Sequence, residues 1–288
     1  LMGGVVAGIR DYGNRVGIPT VAGQVAFHPG YTGNPLVNVG CIGIMPKSEL
    51  IHSRAGGTGD IYILAGGRTG RDGIHGVTFA SRELEAGSES DIGAVQLGDP
   101  ITKEQLMHLC LELNRVGLLT GMKDLGGGGL SCVVGELALD GGCGARVDLE
   151  RVPLKQPGMA PWEIWVSESQ ERMTIGVKPE DCAEFETLAE LHEVEATAVG
   201  EFTDSGNFEV RYGDTTVALL PIEFLHDGLP QLELVSEWVP PEHEPPNFPD
   251  VDAEGMGDVL ASLMARPNVA SKEWWVRSYD HEVIGQTV

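Results

Sequence analysis

Four consecutive glycines constrain this chain more than any other feature. They lie in Gly121-Met-Lys-Asp-Leu-Gly-Gly-Gly-Gly-Leu130, with one acid, Asp124, just ahead of them. The segment that follows, Leu130–Leu139, reads as a short apolar helix. Glycines before a helix N-terminus let backbone N–H groups approach a ligand closely, and the helix adds roughly half a positive charge there. An acid beside such a nest suits a hard cation that bridges to phosphate oxygens. The same residues also describe a glycine-rich turn with one solvated Asp. The pattern is neither the dinucleotide fingerprint nor the Lys-containing phosphate loop, so both readings stand.

Other elements place this stretch in a fold. Residues 3–16 carry Val5, Val6, Ile9 and Val16, consistent with the end of a helix that Gly17-Ile-Pro19 stops. Thr20–Phe27 and Leu36–Ile44 read as strands, with a turn-rich loop between them. Asp60–Ala65 is a short apolar strand that enters the glycine-rich loop Gly66–Gly73. That loop is either a phosphate nest or a structural turn, and the turn is favoured, because no well-capped helix begins directly after it. Phe79–Leu84 reads as a helical turn, and Ala86–Asp91 as an exposed polar stretch. A helix follows Pro100, with Thr102 and Gln105 as a capping-box pair and Leu106, Leu109, Cys110, Leu113 and Val116 at helical spacing. Leu118–Lys123 turns into the Asp124 loop.

Further on, Ala145–Leu149 alternates as a strand, and Pro153–Pro161 is a connection. In Trp165–Val177 the first half is polar and the second is a strand. Pro179–Leu191 is a helix and Thr197–Phe202 a strand. Phe208–Leu220 is a hairpin turning at Gly213-Asp214. Six prolines between 229 and 249 mark an extended connector that wraps a surface. A short helix, Gly255–Arg266, and the aromatic segment Trp274–Asp280 follow. Interleaved strands and helices with hairpin signals predict an α/β fold of the α+β sandwich type rather than a doubly wound one.

Composition narrows the partners. Nineteen basic residues face 43 acidic ones, for a net charge of −24. Such a surface argues against nucleic acid and anionic membranes, and a polyanionic substrate would need Mg²⁺ or a local positive nest. No apolar run reaches the ~18 residues of a membrane span. Five scattered cysteines without a CxxC pair suggest reduced thiols and a cytoplasmic setting. The eight histidines show no zinc-ligand spacing. No serine lies in a G-x-S-x-G elbow, and Cys132, beside the glycine run, is either a nucleophile or, the favoured reading, a packed thiol. The first residues have no signal-peptide layout and begin mid-pattern, as if cut from a longer chain.

Two candidate binding clusters remain. Gln96, ahead of the capped helix, is either a surface amide or a bidentate amide that recognises a planar group on a substrate. Ser167-Glu-Ser-Gln-Glu-Arg172 packs hydrogen-bonding side chains into a strand entrance. It is either a solvated loop or a site in which Glu168, Ser169 and Gln170 hold ribose and amide groups.

Several segments together resemble one family. Tyr12–Val21, Asn34–Asn38, Thr69–Ile74, Gln96–Pro100, Lys123–Gly126, Glu168–Arg172 and Tyr279–Val283 resemble, in order, phosphoribosylformylglycinamidine synthase of purine biosynthesis. The resemblance implies residues 1–46 as the tail of a first AIR-synthase-like N-type domain and 47–222 as the first C-type α/β domain. It implies 223–288 as connector and opening of a second half. It further implies an ATP- and glutamine-dependent ligase. ATP phosphorylates the amide oxygen of formylglycinamide ribonucleotide, and ammonia then displaces phosphate from the iminophosphate.

By the same resemblance Gln96, Glu168, Ser169 and Gln170 are substrate ligands and Asp124 is a Mg²⁺ ligand. The implied partners are a glutaminase subunit or domain and, in a split arrangement, a small bridging subunit. Gln24, His75 and the four-glycine run depart from the family's usual residues. The catalytic histidines, an ATP-contacting Lys and another Mg²⁺ acid are expected upstream of Leu1, so no catalytic residue is assigned here. Two other readings are a related enzyme (aminoimidazole ribonucleotide synthetase, thiamine-phosphate kinase or selenophosphate synthetase) and an inert scaffold half that binds partners or nucleotide. The segments Glu168–Arg172 and Tyr279–Val283 favour the first reading over these.

Overall fold

The computed structural model describes residues 1–32, 35–74, 96–228, 230–248, 250 and 252–279. Asn34, the 79–84 turn, the 86–91 stretch, His75 and residues 280–283 lie outside the described residues. In chain order the main helices are α1 (Met2–Arg15), α2 (Pro100–Val116), α3 (Leu130–Gly141), α4 (Pro161–Val166), α5 (Cys182–Leu191), α6 (Ile222–Asp227), α7 (Met256–Met264) and α8 (Glu273–Val276). The strands are β1 (Ile61–Gly66), β2 (Gly121–Asp124), β3 (Gly144–Asp148), β4 (Arg172–Val177), β5 (Ala196–Thr203), β6 (Asn207–Tyr212) and β7 (Thr215–Pro221).

The strands form a seven-stranded sheet in the order β2-β4-β1-β5-β3-β6-β7. β1 runs antiparallel to β4 and β5, and β2 antiparallel to β4. The β3–β6 pair is parallel. Apolar side chains of β1 alternate between two cores, as the two-residue period of a strand requires. Tyr62 and Leu64 join Val133, Val134 and Leu137 of α3, Ile164 of α4, and Val147, Phe202 and Phe208 of neighbouring strands. Ile63 and Ala65 point the other way, to Leu106, Leu109 and Leu113 of α2, Phe185 of α5, and Ile175. Helices on both faces make an α/β sandwich, as the interleaved pattern predicts. This explains why Ile61–Gly66 is an unbroken apolar run and not an alternating one.

Register decides where the loops emerge. Gly66 at the end of β1 sits opposite Arg172 at the start of β4. Asp124 at the end of β2 sits opposite Met173. Both the Gly66–Gly73 loop and the glycine run after Asp124 therefore leave the sheet at the end where the 167–171 loop enters it.

Several expectations are corrected. Thr20–Phe27 and Leu36–Ile44 form no strand, because among the described residues no strand pairs with them, and Ile42 and Ile44 are exposed. Leu118–Lys123 is not only a turn, since Gly121–Asp124 pairs with β4. A short helix, α4, opens at Pro161 inside the stretch read as connection and polar loop. Residues 230–248 are without regular structure but exposed, so they do not wrap the described surface. The Thr102–Gln105 capping box is replaced by Asp99, whose carboxylate accepts from the N–H groups of Ile101 and Thr102 at 3.2 and 3.4 Å. Pro100 at the first helical position explains the shift. Its ring presets φ and it has no N–H to satisfy, so the cap moves upstream. Gln105 instead donates to Glu193 at 3.3 Å.

The cap sets a stability expectation. Asp99→Ala should destabilise the chain by about 1 kcal/mol, and Gln105→Ala by less than about 0.5 kcal/mol, in urea unfolding. The Thr102 hydroxyl, followed by the N–H groups of Thr102 and Ile101, holds the Asp99 carboxyl below its ordinary value. Its contribution is therefore full above about pH 4 and is lost as pH falls through the lowered folded value. A pH-independent difference between wild type and Asp99→Ala down to pH 2 would contradict this.

Candidate functional site

The strand entrance read as a polar loop holds five of the eight buried polar or charged residues among the described residues. Ser167, Glu168, Ser169, Glu171 and Arg172 are all buried. A buried polar group is stable only when partnered, and here each one is. The Arg172 guanidinium, 2% exposed, donates through Nε to the Ser169 carbonyl at 2.7 Å, through Nη2 to the Ser167 carbonyl at 2.6 Å, and through Nη1 to the Thr69 hydroxyl at 2.9 Å. Burial pushes its pKa down to about 10, with Asp72 opposing the shift, so it remains a cation at neutral pH.

Ser167 and Ser169 face the Gly66–Gly73 loop. The Ser167 hydroxyl donates to the Gly70 carbonyl at 2.6 Å. The Gly70 N–H donates to Ser169 Oγ at 2.8 Å, and that hydroxyl donates to Asp72. Lys155 Nζ closes on Asp72 Oδ2 at 2.7 Å. Burial raises the Asp72 carboxyl, but Lys155 and the Ser169 hydroxyl outweigh it and hold it below its ordinary value. The Gly70 and Thr69 N–H groups are spent on Ser169 and on the Pro153 carbonyl, which fits the structural turn that the sequence context favours.

Glu168 turns toward the other glycine run. Its Oε1 accepts the Gly128 N–H at 2.9 Å, and its Oε2 accepts from the Gln96 side-chain amide. Gln170 Nε2 donates back to the Glu168 carbonyl at 3.1 Å. The approach is close enough to require glycines. A Cβ on Gly129 would lie 1.9 Å from the Ser167 carbonyl oxygen, and one on Gly73 would lie 2.5 Å from Glu168 Cβ and 3.0 Å from Gln96 Nε2. The nest before α3 is thus partly filled by the protein's own carboxylate.

Gln96, Glu168 and Gln170 are brought together. Ser169, fully buried, points inward to Asp72 and supports the loop from beneath. Asp124 stands apart at the end of β2. Its neighbours bind β4, with the Leu125 N–H donating to the Arg172 carbonyl at 3.2 Å and the Thr174 hydroxyl to the Lys123 carbonyl at 2.9 Å. The Asp124 carboxylate is exposed and has no hydrogen-bond or ion-pair partner among the described residues. No cluster of three or more His, Cys, Asp or Glu that could hold a metal occurs among them. A Mg²⁺ bound with phosphate oxygens needs only one or two carboxylates from protein, so Asp124 fits as a single ligand.

Sequence reasoning did not assign Tyr12, Thr69, Asp72 or Arg172 to the site. The Tyr12 hydroxyl donates to Glu171 Oε1 at 2.6 Å across 159 positions. Local spacing carries no signal for such a contact.

Residues 57–213 match the family described as AIR synthase related protein, C-terminal domain, and residues 1–45 match its N-terminal domain. The chain belongs to this family. Within it, the chain is similar to the phosphoribosylformylglycinamidine synthase subunit PurL of Methanopyrus kandleri, with 49% identity over 294 residues, covering 100% of this chain and 40% of the relative. Among solved structures it is similar to Thermotoga maritima PurL complexed with FGAR (38% identity, TM-score 0.76, 87% of this chain and 41% of that one). PurL of the same organism complexed with ATP is similar at 34% identity and TM-score 0.72, over 90% of this chain and 41% of that one. The T. maritima PurLQS structure is similar at 32% identity and TM-score 0.75, over 98% and 42%. The chain therefore spans about 40% of the length of the relatives it matches.

Arg172 gives a direct test of how the site is held. Arg172→Ala should cost about 3 kcal/mol or more by leaving two carbonyls and a hydroxyl unpaired, and Arg172→Lys, lacking the planar fork, should recover less than half. Guanidinium unfolding checks both. A loss under about 1 kcal/mol for the alanine variant would mean that water replaces the fork.

Proposed function

We propose that the chain is part of an ATP- and glutamine-dependent ligase that converts formylglycinamide ribonucleotide to formylglycinamidine ribonucleotide. The observation that carries this reading is the convergence of Gln96 and Glu168 over the Gly128 N–H, at the same end of the sheet as Asp124, which has no partner among the described residues, in a chain 49% identical to a PurL relative. A carboxylate offers about four acceptor positions, and Glu168 uses two of them. The remainder suit hydroxyl and amide N–H groups of a ribonucleotide. The free face of the Gln96 amide suits a planar amide. Gln170 orients Glu168 through its carbonyl, and Ser169 supports both through Asp72.

In this reading ATP phosphorylates the substrate amide oxygen and ammonia displaces phosphate from the iminophosphate. Mg²⁺, when bound, supplies charge neutralisation for the triphosphate. Asp124 would hold it from the end of β2, where the sheet edge fixes the backbone and the side chain meets solvent. The T. maritima complexes with FGAR and ATP support these two ligands, and the PurLQS structure supports partner subunits, read here as a glutaminase and a small bridging subunit. We divide the chain as 1–46, 47–222 and 223–288, with the remaining nucleotide and catalytic groups on segments outside it. Five free cysteines suit a reducing, cytoplasmic setting.

Three measurements test the reading. The 288-residue chain alone should show no ATP-dependent amidine formation, and turnover by it would overturn the assignment of missing groups. In the full-length protein, Asp124→Asn should lower kcat by about 100-fold or more and raise the Mg²⁺ concentration needed for half activity. An unchanged Mg²⁺ profile would remove Asp124 from the metal site. Glu168→Gln should weaken ribonucleotide binding by about tenfold or more in calorimetry. Unchanged binding would take Glu168 out of the substrate site.

A further inference from the structure

Glu171 is bound more tightly than a residue beside a ligand loop needs to be. Its backbone is left-handed, with φ 60°, a conformation that a non-glycine residue keeps only where its surroundings over-determine it. The surroundings do so on both sides. Its carbonyl accepts the Gly67 N–H at 2.8 Å, anchoring it to the end of β1. Its side-chain Oε1 accepts the Tyr12 hydroxyl at 2.6 Å and the Asp99 N–H at 3.3 Å. The Tyr12 ring lies against Gly98, where an added Cβ would come within 2.9 Å of the ring. Burial, then the Glu171 carboxylate, raises the Tyr12 pKa, so the phenol stays a donor at neutral pH.

These contacts bear on the two halves of the candidate site. Asp99 caps α2 and lies three residues after Gln96. Glu171 directly follows Gln170 and lies three residues after Glu168. One carboxylate oxygen thus fixes both the segment that presents Gln96 and the loop that presents Glu168. The third partner, Tyr12, belongs to α1, in the stretch that matches the N-terminal domain of the family, whereas Asp99 and Glu171 lie in the stretch that matches the C-terminal domain.

We propose that Tyr12 and Glu171 are positioning residues. Through a single hydrogen bond from α1 they set the spacing between Gln96 and the Glu168 loop, and so tune affinity for the ribonucleotide. This rests on the substrate reading given above. Its consequence is that a site built from one domain depends on a phenol supplied by the other, so a displacement of α1 is read out as a change in substrate affinity.

The test uses the full-length protein with ATP, formylglycinamide ribonucleotide and an ammonium salt as nitrogen source. Tyr12→Phe should raise KM for the ribonucleotide about tenfold, the effect of one hydrogen bond to a charged group, with KM for ATP changed less than about twofold. Glu171→Gln, which keeps an acceptor oxygen in place, should stay within about threefold of wild type. A lower melting temperature with an unchanged ribonucleotide KM would overturn the proposal, since a packing role alone predicts that result. Hydrogen–deuterium exchange on the same variants reports on the coupling whatever the substrate is. Tyr12→Phe should speed exchange of the Asp99 and Gly128 amides together. If wild type does not use the ribonucleotide, the substrate reading fails, and this exchange result still decides whether Tyr12 holds the two segments. Unchanged exchange at both amides overturns the positioning role.

Discussion

The buried guanidinium of Arg172 is the interaction on which the rest of the site depends. A cation with five donors in a rigid plane is placed at the first residue of β4, where three acceptors converge on it. Two of those acceptors are carbonyls of its own loop, so the fork folds residues 167–171 back over the strand end. The third, Thr69, ties that loop to the one leaving β1. Once the Ser167 carbonyl is fixed, Gly129 must be a glycine, because any side chain there would meet that oxygen. Once Gly129 is fixed, the Gly128 N–H points at Glu168. A single charged residue thus sets the distance between the loop and the start of α3.

Strand direction supplies the other constraint. β4 is antiparallel to both of its neighbours. Its beginning therefore lies beside the ends of β1 and β2. Three loops far apart in sequence emerge at one end of the sheet, and that is where Glu168, Gln96 and Asp124 are found. The sheet can hold this register because both of its faces are packed by helices in this region, and a one-residue slip would turn Ile63 and Ala65 into the wrong core. Fold and site are linked in this way. Side chains of β1 packed into a separate core on each face hold the register, and the register brings the polar loops together.

The same principle accounts for the failed strands. Thr20–Phe27 and Leu36–Ile44 have the composition of strands, but a strand needs a neighbouring strand to pair with, and among the described residues no strand runs beside them. The Phe27 backbone instead pairs with the Asn268 side chain, accepting from its amide at 2.8 Å and donating to its oxygen at 2.6 Å. A side-chain amide here takes the role that a neighbouring strand would play.

The sequence by itself determined those features whose cause is local. The spacing of Leu106, Leu109 and Leu113 produces α2, the Gly213-Asp214 turn produces the β6–β7 hairpin, and the glycine run followed by an apolar segment marks the start of α3. Resemblance also pointed to Gln96, Asp124 and the 168–170 loop, since motif residues can be recognised without knowing what they touch. Tertiary structure alone decided that the polar loop is buried, that Ser169 faces inward, and that Asp99 caps α2 in place of Thr102. It alone paired Tyr12 with Glu171. The physical reason is that burial and hydrogen bonding of polar side chains depend on which strands lie adjacent. That adjacency is set by sheet order across more than 100 positions of chain, a range over which residue spacing carries no information.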